Sequence, residues 1–362
     1  MTDSRVPLLL NPGPVTLSDT VRKALLRPDL CHREPEFSEL QSAIRHKLLQ
    51  VHKLDQKDWA AVLLTGSGTA AVEAMLSSLV PVTGRVLIVA NGVYGERMAR
   101  MAAIHGIDHE ICQHDWHAGI DLAAIEQALQ QKTCSHIAVV QHETTTGRLN
   151  DIAALAALAS RYQVELLLDA VSSFAAEEID FIDWPIAGCA ATANKCLHGV
   201  PGISFVICQR QALADAAQRT LYMHLPTYAA AQDNGGTPFT QSVQCCYALD
   251  AALDEFLAAG GRPARQRLYQ QRMQQVRSGL VGLGIEPLLE DAVNSCVLNA
   301  FRLPAGLSYT TLHDELKQAG FVIYAGQGEF AKTLFRIAVM GELQNTDLER
   351  LLDAIKRLLM RD

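Results

Sequence analysis

The stretch "DIAALAALASRYQVELLLDAVSS" (151–173) decides the fold class of this chain. Its first part, residues 151–163, has the alanine and leucine spacing of a helix, and residues 164–173 begin with an apolar run that ends at Asp169. A fully apolar run next to a helix is typical of a strand that is buried on both faces of a sheet. The stretch therefore predicts one helix–strand unit of an α/β fold.

The same alternation of strand and helix extends outward on both sides of this stretch. Strands are predicted by the apolar runs "AVLLTG" (61–66), "RVLIVANG" (85–92), "HIAVVQHE" (136–143), "PIAGCAATAN" (185–194) and "GISFVIC" (202–208). Between the first three of these strands, helices are predicted by "TAAVEAMLSSLV" (69–80) and "YGERMARMAAIHG" (94–106). Apolar strands separated by helices predict a parallel or mixed sheet that is covered on both faces.

The pattern changes in the last third of the chain. Two helices are predicted within residues 243–280, with a break near "AAGGRPA" (258–264). Short strands at 295–303, 321–326 and 333–340 follow, and an amphipathic helix closes the chain at 345–360. Because 362 residues exceed what one compact core normally holds, more than one domain is expected. The predicted units are an N-terminal segment (1–15), a large α/β domain (16–260) and a smaller α+β domain (261–362).

Composition and charge exclude several classes of protein. The net charge is −8, and no basic stripe with interleaved aromatic residues occurs, so no nucleic-acid partner is expected. No uncharged apolar run is long enough to span a bilayer, and the start of the chain does not resemble a secretory signal. We therefore expect a cytoplasmic protein without a membrane partner.

The cysteines and histidines do not suggest a metal site. The nine cysteines are scattered and form no C-x-x-C pair, which favours reduced thiols over disulfides or zinc ligands. His114 and His117 of "HDWH" could be read as metal ligands, but no third ligand is evident. A solvated loop is the preferred interpretation, and no metal is predicted.

A glycine-containing turn, "TGSGTAA" (65–71), joins the first of these strands to its helix. Ser67, Gly68 and Thr69 would place backbone amides and hydroxyls at a helix N-terminus, where a phosphate is favoured. A plain strand–helix turn is about as common for such a sequence. The stretch also matches the loose dinucleotide pattern G-x-G-x-x-A, but that site requires an acid at the end of the next strand, where this chain has Asn91.

Asp169 and Lys195 each follow a predicted strand. A carboxylate at the end of an apolar strand stays ionised only beside a cation or a strong donor, so Asp169 is either a loop or cap residue or the partner of a protonated ring nitrogen. Lys195, in "ATANKCLHGVPG" (190–201), has no acidic neighbour. An amine in such a setting has a lowered pKa and can attack a carbonyl, whereas the alternative is an ordinary surface lysine.

Together these positions match the needs of one cofactor, pyridoxal 5′-phosphate. The turn at residues 67–69 would bind the phosphate, Asp169 would keep the pyridine nitrogen protonated, and Lys195 would bind the cofactor aldehyde. A nicotinamide-dependent oxidoreductase and a cofactor-free binding module are the alternatives from other functional classes.

Several longer blocks carry a family resemblance: "LLLNPGPV", "CHREPEF", "GSGTAAVEA", "VLIVANGVYGERM", "HETTTG", "LLDAVSSF", "ANKCLHGVPG", "GFVIYAG" and "FRIAVMGE". They resemble the class V branch of the fold type I pyridoxal-phosphate enzymes, and within it most closely the 2-aminoethylphosphonate–pyruvate transaminases. Alanine–glyoxylate and serine–pyruvate transaminases share several blocks. The resemblance implies a large domain with a mixed, mostly parallel seven-stranded sheet and a smaller C-terminal α+β domain.

The resemblance also implies an activity in phosphonate catabolism. The amino group of 2-aminoethylphosphonate would pass to pyruvate, which yields phosphonoacetaldehyde and L-alanine. An alanine–glyoxylate or serine–pyruvate transaminase on the same scaffold is the nearest alternative.

For the cofactor, the resemblance implies particular roles. Lys195 would carry the cofactor, and Asp169 would face the pyridine nitrogen. Tyr94 would stack on one face of the ring and Val171 would pack on the other, while Thr145 would contact the ring hydroxyl.

For the phosphate, the substrate and the assembly, further residues are implied. Ser67, Gly68 and Thr69 would form the phosphate cup. Thr240 would reach the phosphate bound by a partner subunit, which implies a homodimer. Arg336 would bind the substrate carboxylate, and we expect Arg33 to add a second contact to the phosphonate.

Overall fold

The computed structural model describes residues 7–360. The strands, in chain order, are β1 (Leu8–Leu9), β2 (Trp59–Gly66), β3 (Arg85–Ala90), β4 (Asp108–Gln113), β5 (His136–Val140), β6 (His142–Glu143), β7 (Arg148–Leu149), β8 (Glu165–Asp169), β9 (Ile186–Thr192), β10 (Gly202–Gln209), β11 (Leu298–Arg302), β12 (Phe321–Val322), β13 (Tyr324–Ala325) and β14 (Leu334–Ala338). The helices are α1 (Asp19–Ala24), α2 (Pro35–Gln50), α3 (Gly68–Leu79), α4 (Val93–Ile104), α5 (Leu122–Gln131), α6 (Ile152–Arg161), α7 (Arg210–Ala214), α8 (Leu225–Asp233), α9 (Val243–Ala258), α10 (Gly261–Gly282), α11 (Tyr309–Gln318) and α12 (Asn345–Leu359). Within this part of the chain, no helix is both long and apolar enough to cross a membrane.

Seven strands form the central sheet, in the order β2-β10-β9-β8-β5-β3-β4. Strand β10 is antiparallel to both of its neighbours, and the other neighbouring pairs are parallel. The predicted mixed, mostly parallel sheet is thus confirmed. Because parallel strands end at a common edge, the segments that follow β2, β3, β8 and β9 all begin at the same edge of the sheet, where ligands bind in open α/β folds.

Alternate residues of each strand pack into two hydrophobic layers, one on each face of the sheet. In β8, Leu166 and Leu168 belong to the layer that includes residues of α2, α5 and α6, whereas Leu167 belongs to the layer that includes residues of α3 and α4. All three leucines are fully buried. Burial of such a side chain contributes roughly 1.5–3 kcal/mol, so both faces of the strand must be apolar. This is why β8 appears in the sequence as a continuous apolar run.

The C-terminal part contains a smaller antiparallel sheet in the order β11-β14-β13. Strand β1 pairs in parallel with β12, so the N-terminal segment is attached to this C-terminal part. The division predicted at residue 260 falls between α9 and α10 and stays a prediction. Residues 1–6 of the predicted N-terminal segment and residues 361–362 lie outside the described residues.

The run "HIAVVQHE" (136–143) predicts one strand but forms β5 and β6, and β6 pairs with the nearby β7. Two further details differ from the predicted elements. Strand β4 was not predicted because "DHEICQ" (108–113) has no apolar run: it is an edge strand whose side chains are half-buried or exposed. The apolar run "FVIYAG" (321–326) predicts one strand but forms two, since β12 pairs with β1 and β13 pairs with β14. In both cases the pairing partner, which is distant in sequence, decides the outcome.

Candidate active site

The N-terminus of α3 lies at the carboxyl end of β2, where the sequence predicts an anion site. Ser67 precedes the helix, and its side chain makes no capping hydrogen bond. Within residues 7–360, the backbone amides of Gly68 and Thr69 have no hydrogen-bond acceptor. A β-carbon at position 68 would lie 2.7 Å from Cγ1 of Val171, so glycine is required for this close approach. Free amides at the positive end of a helix dipole can bind a phosphate.

Asp169 is the last residue of β8, and its carboxyl group is buried. Oδ1 accepts a hydrogen bond of 3.0 Å from the backbone amide of Val171. Burial raises the pKa of Asp169 to about 6, although this amide and the positive charges of Arg97 and Lys195 oppose the shift. A carboxyl group in this state is stabilised in its ionised form by a cationic partner, as the predicted role requires.

Lys195 follows β9 at the same edge of the sheet. Burial lowers the pKa of its amine to about 8, and the negative charge of Asp169 opposes this shift. Within the described residues the amine forms no hydrogen bond or ion pair. The backbone of Gly13 packs against the lysine stem, since a β-carbon at position 13 would lie 2.8 Å from Cδ of Lys195. Lys195 is therefore a half-buried lysine without a bonded partner in the described residues, unlike an ordinary surface lysine.

A small cavity connects the first turn of α3 and Asp169 to Tyr94, which lies in the first turn of α4. Thr69, Tyr94, Arg97, Asp169 and Val171 all line this cavity. The Arg97 guanidinium carbon lies 4.7 Å from the centroid of the Tyr94 ring, and Nη1 of Arg97 donates a hydrogen bond of 3.3 Å to the Thr69 hydroxyl. Tyr94 and Val171, which are predicted to contact the two faces of the ring, therefore line the same cavity, whereas Thr145 and Lys195 do not line it.

A larger cavity of about 840 Å³ lies elsewhere, beside Ser18, His198 and Glu255. It contains none of the predicted site residues, so its size does not mark the active site. Among the predicted site residues, the smaller cavity is lined by Thr69, Tyr94, Asp169 and Val171.

Thr145 is buried beside Glu143, an acid that the sequence reasoning missed. The Thr145 hydroxyl donates to Glu143 Oε1 at 2.6 Å, and the backbone amides of Thr145 and Tyr94 donate to the same carboxyl group at 3.1 and 3.2 Å. Burial raises the pKa of Glu143 to about 7, against the effect of these hydrogen bonds. A β-carbon at Gly92 would overlap this carboxyl group. Glu143 comes soon after the apolar strand β5. An acid at the end of an apolar strand is the sequence signal that could have identified Glu143, as it identified Asp169.

Arg336 lies on β14 and is 3% exposed. Its Nε donates to the Ala325 carbonyl at 2.7 Å, and its Nη1 donates to the Thr144 carbonyl at 2.8 Å and to Gln327 Oε1 at 3.2 Å. Within residues 7–360 it forms no salt bridge. Burial of an arginine without a carboxylate partner is unfavourable, so this guanidinium is suited to an anionic ligand.

The sequence also matches a family model directly. The model described as "Aminotransferase class-V" matches residues 27–327. The chain belongs to the class-V aminotransferases. This membership confirms the predicted family and fold class, and it disfavours both the nicotinamide-dependent oxidoreductase and the cofactor-free binding module.

Relatives of this class-V aminotransferase cover nearly its whole length. A 2-aminoethylphosphonate–pyruvate transaminase from Klebsiella pneumoniae is 40% identical over 364 residues, which cover 97% of each chain. A 2-aminoethylphosphonate–pyruvate transaminase from Bacillus mycoides is 35% identical over 356 residues, again 97% of each chain. Among solved structures, an aspartate aminotransferase from Thermus thermophilus superimposes with a TM-score of 0.89 at 26% identity, covering 98% of this chain and 99% of the other.

Two predicted site residues of this class-V aminotransferase form no hydrogen bond or salt bridge to the other predicted site residues within the described part of the chain. Arg33 is exposed in the turn before α2, and Thr240 is exposed before α9. Neither side chain forms a hydrogen bond or salt bridge within residues 7–360. The segment after Thr240 is nevertheless anchored near the anion site, because Gln241 accepts from the Thr65 hydroxyl at 3.0 Å and the Ser242 amide donates to it at 3.1 Å. The roles of Thr240 and Arg33 stay predictions.

Proposed function

We propose that this protein is a pyridoxal-phosphate-dependent transaminase that moves the amino group of 2-aminoethylphosphonate to pyruvate, forming phosphonoacetaldehyde and L-alanine. The observation that carries the proposal is the position of Arg336. A buried guanidinium without a carboxylate partner donates a hydrogen bond of 2.8 Å to the carbonyl of Thr144, next to the predicted cofactor-contacting residue Thr145. The names of the relatives at 35–40% identity support the same pair of substrates.

The residues of this chain fit pyridoxal phosphate. The free amides after Ser67 suit its phosphate, the buried carboxyl group of Asp169 suits a protonated ring nitrogen, and the amine of Lys195 suits its aldehyde. Tyr94 and Val171 line the same cavity as Asp169, as residues that contact a ring would. The bound cofactor would supply an electron sink that stabilises negative charge at the substrate carbon.

The chain itself would bind, orient and move protons. Lys195 Nζ, once released from the cofactor, would accept a proton from the substrate carbon; its pKa near 8 suits a general base at neutral pH. The carboxylate of Asp169 would keep a positive charge on the ring nitrogen. Thr145, held by Glu143, would orient the ring through its hydroxyl group.

Arg336 would bind the anionic group of both substrates. One pocket must hold a phosphonate in the first half-reaction and a carboxylate in the second. The guanidinium can keep Nε and Nη1 bound to Ala325, Thr144 and Gln327 and still offer Nη2 to either group, which the single ammonium of a lysine cannot do. The net charge of −8 gives no long-range attraction for anions, so a local anchor is needed.

A donor screen with pyruvate as acceptor tests this substrate assignment. We expect 2-aminoethylphosphonate to be the preferred donor, with L-alanine as product. Arg336→Lys should lower kcat/KM for both substrates by about tenfold or more, because a lysine keeps the charge but cannot bind the protein acceptors and the substrate anion at the same time. Arg33→Ala should affect the phosphonate more than pyruvate.

Arg302→Lys provides the control, since Arg302 is an exposed arginine on β11 and should tolerate the change. A wild-type enzyme that prefers alanine or serine as donor would contradict the assignment. The alanine–glyoxylate or serine–pyruvate transaminase would then be the better interpretation.

We also propose a homodimer in which Thr240 of one chain reaches the phosphate site of its partner. Because Gln241 and Ser242 anchor this segment near the anion site of its own chain, a role within one chain is the alternative. Mixing inactive Lys195→Ala chains with inactive Thr240→Asp chains distinguishes the two. If the site is shared, a mixed dimer has one site with both changes and one intact site, so about a quarter of wild-type activity should return.

No recovery of activity in the mixture, despite exchange of subunits, would place Thr240 in the site of its own chain. A monomer at assay concentration would contradict the dimer itself. The matched control is a mixture of each inactive variant with itself.

The proposed location is the cytoplasm, in agreement with scattered cysteines that suit a reducing compartment. Cell fractionation tests it: the activity should be released with cytoplasmic contents, and recovery from a periplasmic extract would contradict it.

A further inference from the structure

The turn between β13 and β14, residues 326–332, carries a side chain into the candidate active site. Its second residue, Gln327, is half-buried beside Arg336. The turn is held in place by Trp116, which belongs to the loop after β4. A β-carbon at Gly328 would lie 2.5 Å from the Trp116 ring, and this glycine has a φ of +52°. The Trp116 indole donates a hydrogen bond of 2.7 Å to Glu96, so the contact surface is itself fixed.

The orientation of the Gln327 amide follows from its neighbours. Arg336 has only donors, so the amide atom that faces its Nη1 at 3.2 Å must be the oxygen. The same oxygen lies 3.5 Å from the Thr145 hydroxyl. The oxygen of Gln327 is therefore directed toward Arg336 and Thr145, and its amide nitrogen must point elsewhere.

Two side-chain nitrogens beside Arg336 and Gln327 have hydrogens to donate but no protein acceptor in the described part of the chain. Within residues 7–360, neither Nε2 of Gln327 nor Nη2 of Arg336 forms a hydrogen bond. Arg336 donates a hydrogen bond to Gln327, and this bond restricts how far the two free nitrogens can move relative to each other. A pair of neighbouring donors without acceptors is suited to an anion that has several oxygens.

We propose that Gln327 is a specificity-determining residue that favours a phosphonate over a carboxylate at Arg336. The inference rests on the proposed function. Because Nε and Nη1 of Arg336 are used by protein acceptors, Nη2 is the guanidinium nitrogen left for the ligand. A phosphonate presents three oxygens in a tetrahedral arrangement, so one can accept from Nη2 while another accepts from the Gln327 amide. The phosphorus of 2-aminoethylphosphonate is one bond further from the reacting carbon than the carboxylate carbon of pyruvate, so its oxygens extend further and can include the Gln327 amide, whereas the shorter carboxylate is bound through Nη2 alone.

The two half-reactions of the holoenzyme test this inference separately. Gln327→Met removes the donor but keeps much of the side-chain volume, and Gln327→Ala removes the side chain. Each should lower kcat/KM for 2-aminoethylphosphonate by about ten- to a hundredfold, the loss expected for one hydrogen bond to a charged group. For pyruvate the decrease should be less than about threefold. Glu329→Ala, an exposed change on the same turn, is the matched control and should leave both half-reactions unchanged.

Binding of unreactive anions gives a readout that does not depend on turnover. Ethylphosphonate and propionate can be titrated against the holoenzyme by the change in its visible absorption. The wild type should bind ethylphosphonate more tightly, and Gln327→Met should lose this preference. The absorption spectrum and melting temperature of each variant establish that the cofactor is bound and the chain is folded.

Three outcomes decide the matter. A decrease confined to the phosphonate in both assays supports the inference. Equal decreases for phosphonate and carboxylate, or no decrease, overturn it while the wild-type activity leaves the proposed function intact. A wild type that does not convert 2-aminoethylphosphonate overturns the proposed function, and the phosphonate role of Gln327 with it.

Discussion

Replacing Lys195 with alanine should abolish transamination, with turnover lower by about 10⁴-fold or more. The variant loses both the amine that binds the cofactor aldehyde and the base that moves the substrate proton. Burial of this amine lowers its pKa to about 8, so a useful fraction is neutral and nucleophilic near physiological pH. The packing of the Gly13 backbone against the lysine stem leaves little room for another side chain to take over.

Borohydride reduction followed by peptide mapping checks the assignment. The mass of the cofactor should be found on the peptide that contains Lys195. Lys132→Ala, which changes an exposed lysine at the end of α5, should keep wild-type turnover and the same adduct. An adduct on any other lysine, or full activity in Lys195→Ala, would contradict the role.

The pH dependence of cofactor attachment provides a second test of the same residue. Only the neutral amine attacks an aldehyde, and an amine is neutral above its pKa. The rate at which pyridoxal phosphate attaches to cofactor-free enzyme should therefore rise with pH, with a midpoint near 8. N-acetyl-lysine methylamide, measured in parallel, corrects for titration of the cofactor. A midpoint at the ordinary lysine value of 10.5 would mean that the amine is not desolvated.

Asp169→Asn should lower turnover by about 10²–10⁴-fold while the protein remains folded. An amide has the same shape as the carboxyl group but cannot stabilise a positive charge on the ring nitrogen. Kinetics of the purified holoenzyme measure the effect. Asp151→Asn is a matched control, because Asp151 caps α6 and asparagine caps helices equally well. Near-normal turnover of Asp169→Asn would remove the ring-nitrogen role.

The melting temperature of cofactor-free Asp169→Asn tests whether its loss of turnover comes from the chemistry or from a damaged fold. Burial raises the pKa of Asp169 in the folded protein to about 6, above the ordinary value of 3.8. A folded state that binds a proton more tightly than the unfolded state is favoured at low pH, and this advantage is lost as pH rises through the folded-state pKa. Above pH 6 the ionised group is therefore unfavourable in the cofactor-free fold. The melting temperature of cofactor-free Asp169→Asn at pH 8 should equal or exceed that of the wild type.

The apolar runs of the sequence predict six of the seven strands of the central sheet, and they also single out Asp169 and Lys195 at one edge of it. The leucines of β8 must be apolar on both faces because helices cover both faces of the sheet, and this local requirement is visible in the chain. Asp169 and Lys195 stood out for the same reason, as ionisable groups next to strands that are otherwise apolar. Asp169 is buried and Lys195 is half-buried in the structure, in agreement with the environment that their neighbours predict.

The contacts that link Glu143, Thr145, Gln327 and Arg336 arise from the packing of distant segments and are not visible in any local pattern. Nη1 of Arg336 bonds the carbonyl of Thr144, which is 192 positions away, and Gln327 reaches Thr145 from a turn held by Trp116. The split of residues 321–326 into β12 and β13 was decided in the same way, by separate pairing partners. Local sequence patterns indicate whether a residue is buried, because burial depends on the apolar residues next to it. They do not indicate which distant group a hydrogen-bonding side chain contacts. Such a contact forms only when segments far apart in the sequence pack together, as β14 and the segment at Thr144 do.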